Sequence, residues 1–331
     1  MTVAPTRFGF TLPQRGVFFG ATSMEKMMAL AAQADANPLF DSIWVGDSLF
    51  AKPRPDSLTL LGGLATATRR LVLGVGCMAS FPVRDPLIFA YQWATLDLLA
   101  RGRMLLAACT GIVAGGASAR EGALWGVADR ERADRLAENI EICRKLWSED
   151  RVSFKGRFRS FEDVTVQPKP VQQPCPIWIA SNPRPVGLKP EVIDRALRRV
   201  ARMADGWMTV QLFPGMFKAN WTKIAEYLTA EGRDAAAFPN IAYHNVNINP
   251  DRQAALEESK RFLDEYYGPV FSPAMVTSWT AAGTPAECVE HLRALRRDGA
   301  RTFTLRITGW QQEEQYQRLV NEVLPRVAEE R

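Results

Sequence analysis

The side chains able to do chemistry in this chain stand at or near the ends of apolar runs. Asp47 closes the run 42–46, Cys77 and Met78 close 71–78, and Cys109 and Thr110 close 104–109. Ser181 and Asn182 follow 176–180, Asn245 and Asn247 lie in 241–248, and Arg306 lies in 302–307. With Thr11, Thr209 and Gln211 the set is made of hydroxyls, thiols, a thioether, amides, one carboxylate and one guanidinium. It contains no lysine suited to a Schiff base and no pair of carboxylates, and His244 and His291 are the only histidines. Schiff-base aldol chemistry and metal-dependent hydrolysis are therefore disfavoured, and no metal site is expected. Such a set suits a bound organic cofactor that brings its own reactivity.

The elements that must position these groups follow from the apolar pattern. From Leu71 to Gly111 the chain reads strand, helix, strand, and both strands are hydrophobic throughout. Strands with two covered faces signal a parallel sheet. Further strands are expected at 7–13, 42–46, 176–180, 206–210, 241–248 and 302–307, separated by helical segments. Eight strands alternating with helices predict a (β/α)8 TIM barrel, α/β in class, with its ligand site at the C-terminal strand ends. An open doubly wound sheet would carry a GxGxxG turn after its first strand, and none occurs. Residues 152–170 read as a β-hairpin inserted between strands four and five, and 268–280 as an aromatic-rich excursion between strands seven and eight. Gly, Ala and Ser make 112–119 an expected mobile loop. No linker is visible, so residues 1–331 are expected to form one domain.

Strand alternation sorts the candidates by face. Tyr243, Asn245 and Asn247 share one face, while Ala242, His244, Val246 and Ile248 share the other. The apolar set should meet the helices, which places Asn245 in the pocket and makes His244 structural. Arg306 shares its face with Thr302 and Thr304; buried there, it would need an anionic partner, a substrate group or a phosphate. Asp47 reads equally as a proton-transfer residue and as a loop or helix cap. Trp125, Trp279 and Trp310 read as packing residues that also lie where they would roof a pocket.

Composition narrows the class. The 331 residues are 47% hydrophobic and 23% charged, with a net charge of +5. Lys and Arg alternate with Glu and Asp at helical spacing, the pattern of solvated helix faces and not of a nucleic-acid patch. The mild excess of positive charge would help attract an anionic ligand. Five cysteines (77, 109, 143, 175 and 288) without a CxxC argue against disulfides and structural zinc. The first residues show no signal-peptide pattern, and no apolar run approaches the ~18 residues of a membrane span. A cytoplasmic protein is expected.

Several ordered stretches carry a family resemblance: FDSIWVGD at 40–47, LGVG at 73–76 with PVR at 82–84, QWATLD at 92–97, GR at 102–103 and CTG at 109–111. They continue with QPKP at 167–170, PIWIAS at 176–181, RVARMADGW at 199–207 and AGTP at 282–285. In this the chain resembles the bacterial-luciferase-like family of flavin-dependent oxidoreductases, TIM barrels with an insertion. The resemblance implies a monooxygenase that uses reduced FMN, delivered by a separate flavin reductase, and molecular oxygen to oxygenate a small organic substrate. Its alternative is an F420-dependent hydride-transfer enzyme; a non-catalytic flavin-binding protein is the third reading. It also implies that Gly76, Cys77 and Met78 lie against the isoalloxazine ring, with a non-prolyl cis peptide at Gly76–Cys77 or one bond later. Cys109 and Thr110 would be flavin neighbours without a covalent role. Ala180, Ser181 and Asn182 would hold the flavin phosphate, in keeping with donors placed before a helix N-terminus. Asn245 falls where some members carry a histidine. Asp47, Asn245 and Arg306 are the catalytic candidates. Segments 112–128 and 268–280 are lid candidates, and a homodimer or homotetramer is implied.

Overall fold

A computed structural model describes residues 7–111, 116–184 and 187–329. In chain order the elements are β1 (Arg7–Thr11), α1 (Met24–Ala36), β2 (Phe40–Val45), α2 (Ser57–Ala67), β3 (Val72–Met78), α3 (Pro86–Leu99), β4 (Met104–Ala108), α4 (Gly116–Leu124) and α5 (Arg132–Ser148). They continue with β5 (Val152–Lys155), β6 (Ser160–Val164), β7 (Ile177–Ala180), α6 (Pro190–Met203), β8 (Trp207–Thr209), α7 (Met216–Ala230) and β9 (Asn240–Ile248). The chain closes with α8 (Arg252–Tyr267), α9 (Pro273–Trp279), β10 (Thr280–Gly283), α10 (Pro285–Arg297), β11 (Thr302–Ile307), α11 (Gln312–Arg318) and, after a π-helical turn, α12 (Leu324–Ala328). Parallel strands β1, β2, β3, β4, β7, β8, β9 and β11 alternate with helices, which is the (β/α)8 barrel class.

The chain divides into two compact units, Met1–Trp44 with Ser181–Arg331, and Val45–Ala180. Neither division falls at a linker: Trp44 lies within β2 and Ala180 ends β7. In the first unit β1 is flanked by β2 and β11, and β9 pairs with β8, β10 and β11, all in parallel. Phe8 stacks on Phe303 with ring centroids 6.2 Å apart, and Phe10 meets Phe40 and Tyr316. Gly9 between them has no room for a side chain, because an added Cβ would fall 2.5 Å from Ser42 Oγ. That space holds the Trp44 indole, which donates to Ser42 Oγ at 2.8 Å. The second unit carries the parallel ladder β3–β4–β7 and the antiparallel hairpin β5–β6, the insertion expected at 152–170.

Helix starts follow local chemistry. Ser23 accepts from Lys26 N at α1, Asp56 from Thr59 N at α2, and Asp85 from the amides of Leu87 and Ile88 at α3. Thr284 and Glu287 form a reciprocal capping box ahead of α10, with Pro285 in the first turn. Asp97 and Arg103 are structural. Asp97 accepts from the main chain and side chain of Gln172, and Arg103 donates to the carbonyls of Ala65, Thr68, Leu71 and Ala100.

Two expectations are corrected. Of the predicted loop 112–119, residues 112–115 lie outside the described residues, and Gly116 opens α4; alanines at 117, 119 and 123 favour helix where Gly and Ser suggest a loop. The excursion 268–280 is not irregular throughout. It contains α9 and leads directly into β10, whose residues Thr280–Gly283 pair with Asn245–Ile248 of β9.

Candidate functional site

In the unit 45–180 the site is built at the end of β3. Gly76 pairs with Ala107 and Met78 with Ala108, which leaves Cys77 as an extra residue in a bulge. The Gly76–Cys77 peptide is cis, at the first of the two bonds the resemblance offered. A bulge re-aims the side chain it carries: Cys77 is half-buried, whereas Met78 is fully buried. Cys109, the residue after β4, donates its N–H to Met78 O at 3.4 Å, and its thiol is hydrogen-bonded to that of Cys77. This bond pulls the Cys77 thiol below its ordinary pKa, against burial and the charge of Asp47. The same bond, with burial, pushes Cys109 well above its ordinary value, so Cys109 keeps its proton.

Asp47 is buried and its carboxylate is well occupied. Oδ1 accepts from Ser57 Oγ at 2.6 Å and lies 3.4 Å from the Arg84 guanidinium; Oδ2 accepts from Ser80 N at 2.8 Å. Arg84 also donates from Nε to Ser80 Oγ at 2.7 Å. Asp47 therefore ties the first residue of α2 to the segment after β3. This matches the capping role more closely than proton transfer, although Asp56 is the residue that caps α2 itself. Thr110 is half-buried, and its carbonyl accepts from Arg132 at 3.3 Å. Arg132, 1% exposed, also donates to Ser118 O and pairs with Asp129. Buried Glu121 on α4 accepts from the amides of Phe50 and Ala51 at 2.6 and 2.7 Å. Sequence reading missed Ser57, Ser80, Arg84, Glu121 and Arg132, whose partners are mostly far away along the chain.

In the other unit Asn245 and Arg306 are register partners on β9 and β11, a pairing that the sequence reading did not make. Arg306 Nε and Nη2 both donate to Asn245 Oδ1, at 3.1 and 2.7 Å, and Nη1 donates to Tyr267 Oη at 2.6 Å. The guanidinium carbon lies 4.7–5.2 Å from the ring centroids of Tyr243, Tyr266, Tyr267 and Trp279. Burial pushes the Tyr243 hydroxyl well above its ordinary pKa, so that ring stays neutral. Within the protein, an amide oxygen, a phenol and four ring faces surround Arg306. Because Arg only donates, Asn245 must turn its oxygen toward it, which fixes the amide orientation. Among the described residues the buried Asn245 Nδ2 group has no hydrogen-bond partner.

His244 faces the opposite way, with its Nε2 2.8 Å from Nε2 of His291 on α10. Burial and the neighbouring ring hold His244 well below its ordinary pKa, and burial lowers His291 to about 4. It is a structural pair, as the alternation implied. Asn247 is turned to α8, donating to Glu258 Oε2 at 2.9 Å. Trp279 packs on the Arg306 cluster and donates to Tyr243 O at 2.7 Å, and Trp310 packs against Phe19 and Phe262. Trp125 stacks on Phe50 at 5.8 Å.

The phosphate expectation is changed in detail. The Ser181 amide donates to Met208 O at 3.0 Å, and its carbonyl accepts from Trp207 Nε1 at 2.8 Å. Its backbone donor is thus used, and the next helix, α6, begins only at Pro190. What Ser181 and Asn182 retain for a ligand is their side chains, half-buried and exposed respectively; Ala180 is half-buried at the end of β7. Among the described residues no cluster of three or more His, Cys, Asp or Glu is placed to hold a metal, and no helix is long and apolar enough to cross a membrane.

Residues 3–302 match the luciferase-like monooxygenase family. The chain is similar to the F420-dependent glucose-6-phosphate dehydrogenase of Nakamurella multipartita, 25% identical over 99% of this chain and 98% of that protein. It is also similar to the enzyme of the same name from Kineococcus radiotolerans, 35% identical over 71% of this chain and 67% of that protein. Among solved structures, an F420-dependent secondary alcohol dehydrogenase in complex with an F420-acetone adduct superposes with a TM-score of 0.80 at 17% identity, covering 98% of this chain and 99% of the other. The long-chain alkane monooxygenase LadA superposes with a TM-score of 0.74 at 16% identity, covering 98% and 91%. At these identities the two structures speak to the fold.

Proposed function

Because the chain belongs to the luciferase-like monooxygenase family, we propose that it is an F420-dependent oxidoreductase that transfers a hydride between the deazaflavin and a small organic substrate. The observation that carries this reading is the F420 dependence named for its curated relatives, one of them similar over almost the whole of both chains. It takes precedence over the FMN monooxygenase that the sequence first suggests.

The residues present suit such a cofactor. Gly76, Cys77, Met78, Cys109 and Thr110 would lie along the ring: the bulge leaves Cys77 half-buried, and Ala107 and Ala108 beside it are small. Asn245 Nδ2, a buried donor with no acceptor, suits an oxygen of a cofactor or substrate. The side chains of Ser181 and Asn182 suit a phosphate. When bound, the deazaflavin supplies the carbon that takes up or gives up hydride. The protein's own work is positioning. Asp47 fixes the segment after β3, and Arg306 fixes the Asn245 amide so that its N–H groups point one way.

A second reading keeps a specific support. Monooxygenases such as RslO1 of Streptomyces bottropensis share the fold, with a TM-score of 0.74. Reduced FMN from a separate reductase, with molecular oxygen, would then serve the same residues. Fluorescence titration of the purified protein with F420 and with FMN separates the two. The proposal expects saturable F420 binding and bleaching of oxidised F420 when an alcohol or sugar-phosphate substrate is added. Tight FMN binding with no F420 binding, and oxygen uptake with reduced FMN, would overturn it.

A further inference from the structure

The five cysteines differ in what surrounds them. Cys143 is fully buried with its thiol 3.9 Å from Pro86 O, and Cys175 is 4% exposed. Cys288 is fully buried, its thiol 3.4 Å from Ala281 O, and burial raises its pKa to about 12. Such thiols behave as small apolar side chains. Cys77 and Cys109 are different. They sit on neighbouring hydrogen-bonded strands, at the end of the β3–β4 ladder, where Cys109 N–H already bonds Met78 O. Cys77 precedes and Cys109 follows the last paired rung, Met78 with Ala108, so the two residues flank that rung. The two thiols are already hydrogen-bonded, and the bulge leaves Cys77 as the accessible partner and Cys109 as the buried one.

We infer that Cys77 and Cys109 form a dithiol that hydroperoxides oxidise to a reversible disulfide. The thiolate of Cys77 attacks one oxygen of the hydroperoxide; the O–O bond breaks, an alcohol or water leaves with a proton, and Cys77 becomes a sulfenic acid. The Cys109 sulfur then attacks Cys77 Sγ, the S–O bond breaks, and water leaves with the Cys109 proton. Two thiols and one hydroperoxide give one disulfide, one alcohol or water, and one further water. The Cys109 hydrogen bond favours the thiolate of Cys77 as the attacking form, and the proton held by Cys109 leaves as part of that water. On the function proposed above, on which this last step rests, the crosslink replaces the Cys77 thiol at the ring-facing bulge and weakens cofactor binding.

The test begins with reduced full-length protein, treated with one to a few equivalents of hydrogen peroxide and quenched with N-ethylmaleimide under denaturing conditions. The expected result is two fewer maleimide adducts and a disulfide-linked pair of tryptic peptides, 71–84 with 104–120, both reversed by dithiothreitol. Before oxidation, Cys77 should react with iodoacetamide at least about tenfold faster than Cys143 or Cys288. In Cys109→Ser, Cys77 should go on to the sulfinic acid; in Cys77→Ser, Cys109 should remain a thiol. A wild-type protein that yields sulfinic or untouched Cys77 with no linked peptides overturns the inference, whether or not the variants fold. Fluorescence titration of the reduced and oxidised wild type with F420 and FMN reads the last step. A cofactor bound by the reduced form should bind at least about tenfold more weakly once oxidised, and equal affinities overturn the regulatory consequence. If the reduced form binds neither cofactor, the proposed function fails while the linked peptides still decide the dithiol.

Discussion

In the unit 45–180 a buried negative charge, Asp47, meets a hydroxyl, a main-chain amide and an arginine. In the other unit a buried positive charge, Arg306, has no carboxylate within ion-pair distance among the described residues, and is held by one amide oxygen, one phenol and four aromatic faces. The first arrangement fills its acceptors with donors. The second spends the guanidinium on a single amide and leaves that amide's own N–H groups without an acceptor. A centre whose polar atoms are used internally is built to hold elements in place. A centre that leaves a buried donor unmatched among the described residues has a group to offer a ligand, and this makes Asn245 the better candidate for ligand contact and Asp47 the better candidate for positioning.

The largest test of that contrast is Arg306→Ala. It leaves Asn245 Oδ1 buried without donors and opens a cavity among four rings, and should lower unfolding free energy by about 3–5 kcal/mol. Urea unfolding followed by tryptophan fluorescence measures it; a loss under about 1 kcal/mol would mean that the cage closes without its cation. Next is the histidine pair on the far side of β9. Its folded-state pKa values lie below the unfolded one, so its contribution is complete above pH 6.5 and is lost as pH falls toward 4. His291 alone, held at about 4 by burial, should cost on the order of 3 kcal/mol by pH 4. Urea midpoints from pH 7 to pH 4 should fall less steeply for His291→Gln than for wild type, and parallel curves would exclude the pair as the cause.

Asp47→Asn should cost about 1–3 kcal/mol, since it weakens the charge-assisted bonds to Ser57, Ser80 and Arg84. If Asp47 only positions, a cofactor titration of this variant shifts modestly and any turnover keeps the wild-type pH profile. A lost limb in that profile would restore the proton-transfer role. The smallest effect is expected for Tyr267→Phe, which removes one acceptor from Arg306 and keeps the ring. It should cost about 1 kcal/mol, whereas a loss as large as that of Arg306→Ala would move the weight from the rings to the hydroxyl.

The fold was legible because most βα units announce themselves: an apolar run, a turn, then a helix, several of them with a side-chain cap. The face each of Asn245 and Arg306 takes on its own strand was legible too, from alternation, but their pairing was not, because it depends on which strands are neighbours and in what register. What surrounds Arg306 was not, since Tyr266, Tyr267 and Trp279 come from α8 and α9, where helical spacing gives no hint of a cation. The ties of Asp47 were hidden for a similar reason. Ser57 is 10 residues away and Ser80 is 33. β10 escaped notice because TAAG is four small residues with no alternation to read, and α4 because glycine and serine at its start resemble a turn.

That four-residue strand settles a matter of shape. β8 has only three residues, and its ladder with β9 ends at Ala242. From Asn245 onward the same flank of β9 is taken by β10, since the other flank already belongs to β11. Without this relay, the upper part of the longest strand in the molecule would show a bare row of amides and carbonyls, the template on which one chain recruits another into aggregates. A segment too short to be noticed thus closes a seam, and trimming it should be felt first as lost solubility.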